Sequence, residues 1–169
     1  MKSNLLMNFN VDRSSGTLMV TREFNAPVEN VWAAWTQSEL LDQWWAPKPW
    51  KARTKTMDFR EGGYWLYAMV GPDGTEHWGR NDYESITPLK SFTARDSFCD
   101  ENGKINTELP GAFWKNTFRE SSGITTVTIL SKYDSPEDLE KVLEMGMQEG
   151  FTAALSNLDE LLKETISAA

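Results

Sequence analysis

The chain has 169 residues, of which 40% are hydrophobic and 12% aromatic, including eight Trp and eight Phe. Wholesale disorder is excluded, and one domain is expected, burying roughly two thirds of the surface that the unfolded form would expose. The 17 Lys and Arg against 25 Asp and Glu give a formal charge of -8, and no basic run could track a phosphate backbone, so neither nucleic acid nor an anionic membrane is an expected partner. A single cysteine, Cys99, and a single histidine, His77, exclude an internal disulfide and a Cys/His zinc cage. The N-terminal residues lack the apolar run of a secretory signal, and eighteen apolar residues never occur together, so a cytoplasmic protein is expected.

Residues 1–16 carry few periodic cues and end in Arg13-Ser14-Ser15-Gly16, which predicts a loose arm, with Met7-Asn8-Phe9 as a candidate edge strand. Residues 17–169 are read as one domain. Thr17 to Phe24 is rich in β-branched and aromatic residues and stops before Pro27, so it predicts the first main strand. Pro27 suits the first position of a helix, where its missing N–H would be unpaired anyway, and Val28, Val31, Trp32 and Trp35 follow at helical spacing. Thr36-Gln37-Ser38-Glu39 reads as a capping box for a second short helix, whose stripe of Leu40, Leu41, Trp44 and Trp45 ends before Pro47 and Pro49.

From Lys51 to Tyr133 the spacing becomes strand-like. Turns at Gly62-Gly63, Gly71 to Gly74, Ile86 to Pro88, Glu101 to Gly103 and Ser121 to Gly123 separate strands near 51–60, 63–70, 75–86, 90–100, 113–120 and 124–133. Ser135-Pro136-Glu137-Asp138 then opens a helix: Ser caps, Pro fits the first position and the acids face the positive end of the dipole. Leu139 to Leu162 carry an apolar stripe at helical spacing, and Gly146 and Gly150 suggest a break between a short piece and a longer helix from Met147.

Three stretches carry a resemblance: Phe24-Asn25-Ala26-Pro27 running into Trp32 and Trp35, Trp44-Trp45-Ala46-Pro47, and Met57-Asp58-Phe59-Arg60-Glu61-Gly62-Gly63-Tyr64. With Gly71 to Gly74, Tyr83 to Pro88 and Gly150 to Leu158, they resemble the family related to the C-terminal domain of the activator of heat-shock protein 90 ATPase, within the START-like helix-grip superfamily. The match covers roughly residues 17–165. Phe151 and Ala46 depart from the Trp and Gly more common in that family. The resemblance implies an α+β helix-grip fold: a curved antiparallel sheet of six to seven strands wrapped around a long C-terminal helix, two short helices after the first strand, and a cleft between sheet and helix.

Pocket residues are proposed on that basis. Alternation puts Trp65, Tyr67 and Met69 on one face of their strand and Tyr64, Leu66 and Ala68 on the other; the larger set is favoured for the concave side. Trp35 and Trp45 are added from the short helices, and His77, Trp78, Phe98, Trp114 and Phe118 from neighbouring strands. The long helix adds Met147, Phe151 and Leu155. Taken singly, each is also ordinary core material.

Chemistry has little support. No nucleophile elbow, phosphate loop, dinucleotide fingerprint or metal-ligand cluster occurs, so no catalytic residue, metal or cofactor is assigned. His77 is the sole imidazole available for proton transfer, and Cys99 reads as an inert thiol. The leading reading is therefore non-catalytic binding of a small hydrophobic molecule in the cleft, in a stress-related setting. A chaperone-interacting module is the alternative. An enzyme acting on a hydrophobic or polycyclic substrate is third, and the oligomeric state is left between monomer and homodimer.

Overall fold

The computed structural model describes residues 5–168. The elements run β1 (Met7–Asp12), β2 (Thr17–Phe24), α1 (Val28–Thr36), α2 (Ser38–Trp44), β3 (Lys51–Met57), β4 (Tyr64–Val70), β5 (Glu76–Thr87), β6 (Ser91–Cys99), β7 (Ala112–Ser121), β8 (Ile124–Tyr133), α3 (Pro136–Glu144) and α4 (Met147–Ala168). All eight strands form one antiparallel sheet in the order β1-β2-β8-β7-β6-β5-β4-β3. This is the helix-grip α+β fold, with one strand more than the six to seven expected. The extra strand is β1: the segment read as an arm pairs with β2 from Met7↔Arg22 to Asp12↔Thr17. Met7, Phe9 and Val11 pack on the core while the residues between them face out, the alternation of a half-covered edge strand.

Helix α4 lies on the concave face of the sheet. Its Phe151, Ala154, Leu155, Leu158 and Leu162 join one core with Leu18 and Val20 of β2, Val127 and Ile129 of β8, and Trp114 of β7. At 22 residues it is about 33 Å long, enough to cross several strands. Asp159 meets Arg22 of β2 at 3.9 Å, and the Asn157 amide donates to the Ala46 carbonyl at 3.0 Å. The helix is thereby tied to the sheet at one point and to the exit of α2 at another. No helix among the described residues is long and apolar enough to cross a membrane.

The break between α3 and α4 falls at Gly146, whose φ of 90° continues the chain in a conformation that only glycine adopts without strain. Ser135 caps α3 as expected, its hydroxyl accepting from Asp138 N–H at 3.1 Å. Two helix-start readings need correction. Pro27 is the N-cap of α1, one position before the first helical residue, and the Glu120 carboxylate of β7 accepts from the Val28 N–H at 2.7 Å. The capping box at Thr36 does not form, because Gln37 occupies the cap and the Thr36 hydroxyl donates back to the Trp32 carbonyl at 2.9 Å. With α1 and α2 joined through one residue, Thr36 is still a residue of the first helix and its hydroxyl bonds into the preceding turn.

Candidate functional site

The concave face is paved with rings. Trp65 and Tyr67 share one core with Phe151, Leu155 and Leu158 of α4, and Met69 packs against it, so the larger set on β4 faces the helix, as favoured from the sequence. The opposite set is also apolar because the segment after β6 covers it: the Arg80 guanidinium donates to the Gly103 carbonyl at 2.8 Å, and an added Cβ on Gly103 would lie 3.8 Å from Leu66.

Between the sheet and the short helices α1 and α2 remains a hollow of about 20 Å³ bordered by Trp35, Leu41, Trp45, Trp65, Asn81, Tyr83, Phe92, Ala94, Asp96, Trp114 and Asn116. That volume holds about one water molecule, far less than the roughly 300–1,000 Å³ of a site for a drug-sized ligand. The open cleft expected under the helix is thus closed by side chains. Trp45 takes part in this, packing edge-on against Trp65 at 5.4 Å, Tyr67 at 6.3 Å and Phe151 at 6.0 Å. Phe151 in turn meets Trp114 edge-on at 5.6 Å, and Trp65 stacks on Tyr67 at 4.1 Å.

The walls differ in how they are held. The Trp65 indole donates to the Thr54 hydroxyl at 3.0 Å, which in turn donates to the Asp42 carboxylate at 2.6 Å, a relay joining β4, β3 and α2. Trp44 is fixed by its indole donating to the Ala34 carbonyl at 2.9 Å. Trp45 and Trp114 have no such anchor. Their indole Nε1 atoms are buried without a hydrogen-bond partner among the described residues, as is the Asn116 Oδ1 atom. Trp45 Nε1 approaches the Tyr67 hydroxyl without completing a hydrogen bond. An unsatisfied buried polar atom costs about 1–3 kcal/mol, and three of them sit on residues bordering one hollow.

A carboxyl joins them. Burial pushes Asp96 up to about 7, with the nearby Arg95 cation pulling the other way. Tyr67 is likewise raised, first by burial and further by the Asp96 charge, which keeps its hydroxyl neutral at physiological pH. The hollow is therefore an aromatic cage with a polar floor of Asn81, Asp96 and Asn116, and it can hold an uncharged polar group.

Of the residues expected to bind, Trp35, Trp45, Trp65 and Trp114 border the hollow. Tyr67, Phe118, Phe151 and Leu155 belong to the core around it. Met147 and Met69 are half-buried against that core. Phe98 pairs with Gly79 on the concave face but does not border the hollow. His77 is exposed and stacks on Trp50 at 5.3 Å, away from the hollow. Trp78 does not reach it either. It pairs with Ala68 and Cys99 on the outer face, with the Arg53 and Lys55 cations each 5.7 Å from its ring. Among the described residues no group of three or more His, Cys, Asp and Glu is placed to hold a metal ion.

The family model described as Activator of Hsp90 ATPase homolog 1-like protein matches residues 25–163. The chain belongs to this family. No curated protein matches it. Among solved structures, this Activator of Hsp90 ATPase homolog 1-like chain is similar to protein Ms6760 of Mycobacterium smegmatis, at 35% identity and TM-score 0.85, over 94% of this chain and 96% of that one. It is also similar to a protein of Arthrobacter aurescens, at 33% identity and TM-score 0.88, over 93% of this chain and 91% of that one. A third, protein NE0264 of Nitrosomonas europaea, is 27% identical with TM-score 0.79, over 93% of this chain and 99% of that one.

What sequence reasoning missed in this family member is the floor. Asn116 alternates with Trp114 and Phe118, and Asp96 with Ala94 and Phe98, so each is a polar residue at an inward position of an otherwise apolar strand face. That break in alternation is the signal that could have found them.

Proposed function

We propose that this protein is a non-catalytic receptor for a small hydrophobic molecule, bound between the curved sheet and α4. The observation that carries the reading is the convergence of buried, unpartnered polar atoms on Trp45, Trp114 and Asn116 around one aromatic hollow. Natural cores rarely leave such groups unpaired, and each exception calls for a missing partner. The hollow holds the polar end of the guest. The remainder displaces Trp45, which is held by ring packing at the end of α2. Thermal-shift screening against hydrophobic metabolites, followed by calorimetry, tests this: a saturable binder that raises the melting temperature is expected, and a screen without one overturns it.

A second reading, a module that docks on a chaperone, is favoured by the description of the family alone. Pull-down with the cytosolic chaperone and its ATPase rate with and without this protein decide it. Absence of both binding and a rate change ends that reading.

A further inference from the structure

Resting on the receptor reading, we infer that the hollow selects an uncharged head group that both accepts and donates a hydrogen bond, a hydroxyl being the simplest, at the end of an apolar ligand. The selection follows from the two orphaned groups of β7. Trp114 Nε1 can only donate, and Asn116 Oδ1 can only accept. They are two residues apart on the same strand face, and both residues border the hollow. A hydroxyl has both capacities in one group, accepting from an indole and donating to an amide oxygen. The space of about 20 Å³ matches one such group.

The alternatives fail on the same residues. A carboxylate offers no donor to Asn116 and brings a negative charge beside Asp96, in a place whose burial already resists ionisation of that side chain. An ammonium offers no acceptor to Trp114, so that indole N–H stays unpaired whatever the rings and Asp96 offer the cation. An ether accepts from Trp114 but leaves Asn116 Oδ1 unpaired, which keeps the cost of a buried acceptor.

Four probes of similar apolar length separate these cases: 1-octanol, 1-methoxyheptane, sodium octanoate and octylammonium chloride, titrated calorimetrically into the intact protein at neutral pH. The expected result is that octanol binds about tenfold or more tightly than each of the others, the size of one buried hydrogen bond lost. In Asn116→Leu the advantage over the ether disappears. Because that change could disturb the core, Trp114→Phe is measured beside it, removing the N–H while keeping an aromatic ring, and it is expected to lose the advantage over octylammonium and to keep the advantage over the ether. Equal binding of all four probes, a preference for octanoate, or a variant that keeps the advantage it is expected to lose would overturn the head-group inference and leave the receptor reading standing. Binding by none of the four, together with an empty metabolite screen, would overturn both.

Discussion

Asn116 and Asp96 are the residues on which the account can be tested most simply. Asn116 Oδ1 is buried and unpartnered, so replacing it with leucine should raise the stability of the unliganded protein by about 1 kcal/mol in urea denaturation. A loss of stability instead would mean that the amide is satisfied. Asp96 makes a pH prediction. Its folded value, raised to about 7, lies above the unfolded value near 3.9. Between those two values the native state holds a proton that the unfolded chain has released, so stability falls as pH rises from about 4 to 7 and the full penalty remains above 7. Asp96→Asn should flatten that fall, with little effect at pH 4 and stabilisation at pH 8, read from melting curves across the range.

The element that organises the interior is α4, and its separation from α3 depends on one glycine. Gly146→Ala at φ 90° should cost about 1–3 kcal/mol without altering the sheet. Leu155 and Leu158 are fully buried between helix and sheet, and truncating either to Ala should cost about 2–5 kcal/mol in chemical denaturation. On β5, Gly79 leaves room for a neighbouring ring, since an added Cβ would stand 2.8 Å from the Tyr67 hydroxyl and 2.9 Å from its ring. Gly79→Ala should therefore expel Tyr67 from beneath Trp45 and change the tryptophan fluorescence, a result that an ordinary surface glycine would not give. At this scale much was legible in advance. The turn residues bounded β3 to β8, Ser135-Pro136 opened α3, and the Gly146 break stood where helix propensity placed it. β1 was harder, since its short alternation becomes a strand only through pairing with β2. The capping box failed because a local motif competes with the helix that precedes it. The two faces of β4 looked equally apolar because the segment after β6 covers the outer one, and the place of Trp78 followed from that same register. Ring types told where a hollow could be; how far Trp45 closes it depends on packing across α2, β4 and α4, which periodicity does not encode.

For the whole molecule the fold and the site are one arrangement. Eight strands curve around α4, and the rings that seal the resulting space also surround its few polar groups. The sealed state is compatible with binding if the seal is made of side chains held by packing, as Trp45 is, rather than by the hydrogen-bonded relay that holds Trp65. A crystal structure of the protein at atomic resolution, grown with and without 1-octanol, tests this most directly. The account predicts an ordered oxygen bridging Trp114 Nε1 and Asn116 Oδ1 in the crystal grown with 1-octanol, with chain density continuing from it and a displaced Trp45. An interior without bound oxygen, in which both atoms find partners within the protein and Trp45 stays in place, would contradict it.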